Sequence, residues 1–124
     1  MNLEAFYEYC TSKKGVTEHF PFDEDTLVFK VGEKMFALSS LKQWETNTPS
    51  VNLKCNPERA QELRAQYDAI KPGYHMSKVH WNTIAINEDV PDLLLKELID
   101  HSYDLVFDSL TKKLKQQISD SENA

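Results

Sequence analysis

The nine positions Tyr74-His75-Met76-Ser77-Lys78-Val79-His80-Trp81-Asn82, which follow Lys71-Pro72-Gly73, hold the densest cluster of chemically able side chains in the chain. Two histidines, two lysines and two large aromatics fall between Lys71 and Asn82. A lysine ammonium meets phosphate as a point charge, a tyrosine or tryptophan face stacks on a base, and a histidine or asparagine hydrogen-bonds to either. A structural reading competes with this one. In it Trp81 is a core residue at a strand start, Tyr74 and His75 satisfy backbone groups, and the lysines are solvated turn residues.

Other chemistries lack their residue patterns. His19, His75, His80 and His101 are all the histidines present, and none is accompanied by an HExxH motif or a cysteine pair, so neither a metal nor another cofactor is expected. Cys10 and Cys55 stand 45 positions apart, which suggests no disulfide framework, and Cys55 is predicted to point inward as packing. Ser77 lies between two histidines in sequence but in no Gly-x-Ser-x-Gly elbow, and a chain with three glycines has no room for a phosphate-cradling loop. The acidic runs Asp23-Glu24-Asp25 and Glu88-Asp89 fall where turn and cap chemistry explains them. Lys112, Lys113 and Lys115 near Asp104 and Asp108 make an ordinary charged helix face. No catalytic set emerges, so the expectation is a protein that is not an enzyme.

The elements that must position the cluster follow from hydrophobic spacing. Leu3, Phe6, Tyr7 and Cys10 form the stripe of an amphipathic helix that Gly15 ends. Thr26–Val31 and Lys34–Leu38 flank Gly32-Glu33 as a hairpin, with Phe29 expected opposite Phe36 and Leu27 opposite Leu38. Val51, Leu53 and Cys55 alternate inward along a third strand. Asn56-Pro57 then caps and opens a second helix, with Ala60, Leu63 and Tyr67 buried and its end near Ile70. Lys71-Pro72-Gly73 reads as a break, and a second β pair is expected between Tyr74 and Ile86, with its turn at Ser77-Lys78. Pro91 opens a last helical region through Leu94, Leu95, Leu98, Ile99, Leu105, Val106, Leu110 and Leu114, with a break near His101-Ser102.

With 124 residues and 14.4 kDa the chain is read as one domain over residues 1–118 and a polar tail over 119–124. A hydrophobic share of 40% can form a core and argues against disorder. No apolar run suits a membrane span, and the start Met1-Asn2-Leu3-Glu4 lacks the character of a signal peptide, so a soluble cytoplasmic protein is expected. The order α-β-β-β-α-β-β-α implies an α+β two-layer sandwich, with helices on one face of a largely antiparallel sheet and the other face open. Val28, Lys30, Met35, Ala37, Asn52, Lys54, Trp81, Thr83 and Ala85 are predicted to point to that open face. The net charge of −6 argues against a nonspecific coat on nucleic acid. Its distribution is uneven: −4 over residues 1–25, +3 over 26–82 and −5 over 83–124.

Phe20-Pro21-Phe22-Asp23, the two hairpin strands, Asn52-Leu53-Lys54-Cys55, the Tyr-His-Met-x-Lys-x-His-Trp-Asn-Thr block at 74–83 and Ser102-Tyr103-Asp104-Leu105-Val106 together resemble the MmcQ/YjbR family of small bacterial proteins, over residues 1 to about 115. The resemblance implies a two-layer α/β fold similar to the frataxin-like (CyaY-like) and secretion-chaperone-like arrangements. It also implies the DNA binding for which the family is labelled. On matching positions the candidates for a nucleic-acid-binding site are Lys30, Lys54, Tyr74, His75, Lys78, His80 and Trp81. The leading expectation is a DNA-binding module that uses the open sheet face and the 74–82 loop. Its rival is a protein-interaction or chaperone-like module, docking a partner on an apolar patch of Val28, Met35, Ala37 and Trp81. A third reading places a small ligand or metal near His75 and His80. A monomer without membrane association is expected.

Overall fold

The computed structural model describes residues 1–121. Asn2 caps α1 (Leu3–Thr11) by accepting the Ala5 amide at 2.8 Å, and the stripe read from the sequence turns Phe6 and Cys10 into the core. β1 (Val16–His19), β2 (Thr26–Val31) and β3 (Lys34–Ser40) follow, then the short α2 (Leu41–Glu45), β4 (Ser50–Lys54) and α3 (Pro57–Gln66). The chain continues through β5 (Ile70–Pro72), β6 (Trp81–Ala85), α4 (Asp92–Asp108) and α5 (Lys112–Asp120). The strands form one six-stranded sheet in the order β1-β2-β3-β4-β6-β5, and every pairing is antiparallel. α1, α3 and α4 send Phe6, Cys10, Ala60, Leu63, Leu95, Leu98, Ile99 and Val106 into a single core on one sheet face. The α+β sandwich expected from the sequence is therefore the fold.

The hairpin turn at Gly32 and Glu33 has positive φ at both residues, +56° and +68°, the pattern whose twist suits a two-residue loop between antiparallel strands. The register departs from expectation beyond the first two pairs. Val31 faces Lys34 and Lys30 faces Met35, the register that a Gly32-Glu33 loop sets, but a bulge then pairs Phe29 with Ala37 instead of Phe36, Val28 with Leu38, and Leu27 with Ser39 instead of Leu38. Phe36 is the extra residue, and it and Ala37 both enter the helix-side core. Ala37 is therefore removed from the open-face set and Leu38 takes its place.

Ser102 explains how the sheet tolerates this bulge. β3 and β4 pair only at Ala37–Leu53 and Leu38–Asn52. Beyond those pairs the hydroxyl of Ser102, on α4 and fully buried, donates to the Phe36 carbonyl at 2.6 Å and accepts the Lys54 amide at 2.9 Å. A helix side chain thus bridges two strands where the ladder opens, which satisfies two backbone groups. The expected break at His101-Ser102 is absent because this side chain must face the sheet. α4 runs through it to Asp108, and the break falls after Ser109.

Other differences have local causes. α3 ends at Gln66, and residues expected to finish it or to break the chain form β5, an edge strand where Pro72 costs little because its missing N–H faces no partner strand. β1 had no apolar alternation to reveal it. Ser119 and Asp120 belong to α5 rather than to a tail, and residues 122–124 of the expected tail lie outside the described residues. Among the described residues no helix is long and apolar enough to cross a membrane.

Candidate nucleic-acid interface

The face without helices is defined by parity. Thr17 and His19 of β1, Thr26, Val28 and Lys30 of β2, and Met35, Leu38 and Ser40 of β3 point to it. So do Ser50, Asn52 and Lys54 of β4, Trp81, Thr83 and Ala85 of β6, and Lys71 of β5. Lys30 opposes Met35, Lys54 opposes Trp81, and Lys71 opposes Thr83. Lys30 and Lys54 are half-buried and Lys71 is exposed. The described strand residues of this face include three lysines and a histidine but no aspartate or glutamate. Glu18 points the other way, accepting the Tyr7 hydroxyl at 2.6 Å from α1.

The loop 73–80 closes over one end of this face. Trp81 is 9% exposed and packs with Val28 and Leu38 beneath Met35 and Met76. It is the centre of a small second core and offers no free face to a base, which corrects its assignment as a stacking residue. Most of the expected apolar docking patch is withdrawn as well, since Val28 is fully buried in this cluster and Ala37 in the helix-side core. Lys78 is likewise committed: its Nζ donates to the Gly73 carbonyl at 2.9 Å, a bond that closes the loop on itself. His80 is exposed, and its carbonyl accepts the Cys55 amide at 2.8 Å.

Tyr74 and His75 form the accessible part of the loop. Tyr74 is 68% exposed and its ring centroid lies 4.0 Å from that of His75. His75 has a left-handed φ of +58°, which few side chains adopt without a turn to hold them. Two polar residues of the sheet floor supply that hold. Thr83 Oγ1 accepts the Tyr74 amide at 2.9 Å and donates to Asn52 Oδ1 at 2.6 Å, while Asn52 Nδ2 donates to the Tyr74 carbonyl at 3.2 Å. From the helix side Arg64 of α3 grips the other end of the loop. Its Nε donates to Asn82 Oδ1 at 2.6 Å, and its Nη2 donates to the carbonyls of Lys78 and of Trp81, the latter at 3.2 Å.

Beside Tyr74 a groove of about 800 Å³ crosses the sheet to the Phe20–Asp25 loop. Phe22, 62% exposed, and Asp23 stand on one rim; Lys71, Tyr74, His75 and Met76 stand on the other. Asp23 caps the start of β2, accepting the Asp25 amide at 2.9 Å and the Thr26 amide at 2.6 Å, and these backbone donors hold its carboxyl below the usual carboxylate range. Among the described residues no three histidine, cysteine or acidic side chains gather as a metal site would require. Cys10 and Cys55 are free and buried, and burial pushes the Cys10 thiol up to about 12.

The model of the YjbR family matches residues 11–105, most of the chain. The chain belongs to the YjbR family. Among its bacterial relatives, the uncharacterised protein YbdF of Escherichia coli O157:H7 is 38% identical over 99 residues, 80% of this chain and 79% of the relative. The uncharacterised protein YjbR of Escherichia coli K12 is 34% identical over 103 residues, 83% and 85% of the two chains. A crystal structure of a Deinococcus radiodurans protein with a DUF419 domain superposes with a TM-score of 0.88 at 36% identity, covering 99% of this chain and 91% of that one. A Pseudomonas syringae protein superposes with a TM-score of 0.72 at 28% identity, covering 86% and 99%.

In this YjbR-family chain the seven candidates thus divide into separate groups. Lys30 and Lys54 share the uncovered face, Tyr74 and His75 share the groove rim, Lys78 and Trp81 hold the loop together, and His80 stands exposed beside them. Sequence reasoning counted Lys71 in the cluster and met Phe22 and Ser102 in the family pattern but gave none of them a place in the site, and it passed over Arg64. Lys71 needed the parity of a three-residue strand that its neighbouring proline disguised. Arg64 was visible only as a cation in the last turn of a helix, a position that dipole arguments already account for.

Proposed function

We propose that this YjbR-family protein binds single-stranded nucleic acid across the uncovered face of its sheet. The observation that carries the reading is charge segregation: in a chain of net charge −6, the strands place Lys30, Lys54 and Lys71 on this face and no carboxylate. Positive groups that track a phosphate backbone beside an exposed aromatic are the working parts of a sequence-tolerant single-strand site. Tyr74 supplies the aromatic. The acidic N- and C-terminal segments, of charge −4 and −5, oppose a stiff duplex that must extend past the face, whereas a flexible strand can stay within it. The Asp23-Glu24-Asp25 rim places the backbone toward the lysines and away from that loop.

Three phosphate contacts on a single strand correspond to a salt slope of roughly −2.1, or about 18-fold weaker binding between 50 and 200 mM salt. Fluorescence anisotropy with a labelled mixed-sequence oligonucleotide measures it. Lys30→Ala with Lys54→Ala is the informative pair, since Lys78 is held by Gly73. The pair lowers the slope to about −0.7 and leaves less than about a threefold change over the same range. No binding at low salt, or equal slopes for wild type and double variant, refutes the proposal.

A further inference from the structure

The groove lies on the far side of Leu38 and Met76 from the row that holds Lys30, Met35, Lys54 and Trp81, and neither of those lysines lines it. It is therefore a distinct compartment of the same face. Its volume of about 800 Å³ falls in the range of small-molecule sites, roughly 300–1,000 Å³. Its charges are placed at opposite ends. Lys71 stands on the outermost strand β5 and Asp23 leads into β2, with β3, β4 and β6 between them. At about 4.8 Å per strand the two anchoring backbones are roughly 19 Å apart. A ligand that uses both must carry an anion at one end and hydrogen-bond donors at the other.

The remaining lining narrows the chemistry. Phe22 and Tyr74, both largely exposed, offer planar faces, and Leu38 and Met76 give an apolar surface between the charged rims. Gln43 accepts the Ser50 hydroxyl on its Oε1 at 2.7 Å, which leaves its amide N–H groups for a ligand. We infer that the groove holds one nucleotide unit with an amino-bearing base, its phosphate at Lys71 and its base directed toward Gln43 and Asp23. An exocyclic amine donates to this carboxylate at the open edge of the base, whereas uracil and thymine offer it only an N3–H set between two carbonyl oxygens that it repels, so adenine, cytosine or guanine suits this rim better. The inference rests on the nucleic-acid reading of the face and names the unit that its groove takes.

Amide chemical shifts followed during titration of the full chain with AMP, UMP and inorganic phosphate test it. AMP shifts Leu38, Asn52, Lys71, Tyr74 and Thr83 saturably and leaves Lys30 and Lys54 in place, and UMP binds several-fold more weakly. Lys71→Ala, at an exposed edge-strand position that does not threaten folding, weakens AMP about tenfold, the worth of one charge-assisted hydrogen bond. Equal affinity for AMP and UMP overturns the inference, as does a shift pattern that inorganic phosphate alone reproduces. Absence of AMP binding, with oligonucleotide binding and its salt slope intact, removes the pocket and leaves the face reading standing. Failure of both ligands removes both.

Discussion

Replacing Ser102 by alanine removes one oxygen from the middle of α4 and strands two backbone groups at once. The Phe36 carbonyl loses a donor at 2.6 Å and the Lys54 amide an acceptor at 2.9 Å, at a residue with no solvent exposure. An unsatisfied buried polar group costs about 1–3 kcal/mol, so two such groups, with some local relaxation, predict a loss of about 2–4 kcal/mol. A domain of this kind has roughly 5–15 kcal/mol in all. With a urea m-value of about 1.5 kcal/mol/M, a loss of 3 kcal/mol lowers the denaturation midpoint by about 2 M. Urea unfolding followed by tryptophan fluorescence and by circular dichroism measures it. Ser109→Ala makes the same chemical change at an exposed helix end, where a bond to the Val106 carbonyl and a long one from the Lys34 ammonium are lost to solvent-accessible groups, and is expected to cost about 0.5 kcal/mol or less. If Ser102→Ala costs under about 1 kcal/mol, or no more than the Ser109 control, the strands close the gap unaided and the proposed bridge is not what tolerates the bulge.

Arg64→Met leaves Asn82 Oδ1, on a 2% exposed residue, without its guanidinium donor, and is expected to cost about 1–3 kcal/mol. It should also speed hydrogen exchange at the 78–81 amides far more than in β2 or β3. Arg64→Lys should not restore protection, because a single ammonium cannot reproduce the fork; unchanged exchange in either variant counts against the grip. His101 accepts the Asn56 amide on Nε2 at 3.1 Å; burial, aided by the Arg59 charge and opposed by Asp104, holds its pKa below the ordinary 6.5. The neutral ring is the folded form, so its contribution is complete above 6.5 and is lost as pH falls through the lower folded value. Urea midpoints between pH 7.5 and 5.5 should therefore fall more for wild type than for His101→Gln, and parallel falls would show that the ring takes up its proton at the same pH in the folded and unfolded chain.

Much of the scaffold was legible because its signals are local. The Gly32-Glu33 hairpin, the inward set Val51, Leu53 and Cys55, and the cap and proline at Asn56-Pro57 depend on period and turn chemistry within a few residues, and each stands where those signals place it. Lys30 and Lys54 point to the uncovered face for the same reason, since each alternates with inward neighbours on its own strand. The family block around residues 74–83 was equally legible as a block. Its internal roles were not. Lys78 and Trp81 carry the right chemistry for a ligand yet are consumed by Gly73 and by Val28, Leu38 and Met76, partners that no spacing rule connects to them.

What the chain determines alone is thus the class of fold, the alternation of β2 and β4 and the basic character of residues 26–82, all set by residue type at short range. Tertiary structure decided the rest. The bulge at Phe36 exists because Ser102, 66 residues away, supplies the bonds that the ladder loses. Lys71 joins the face because β5 pairs with β6, and the groove exists because the Phe20–Asp25 and 73–80 loops rise on opposite sides of the same sheet. In each case the deciding interaction links groups far apart in sequence, and a hydrogen bond or a buried side chain finds its partner only after the chain has folded back to bring it there.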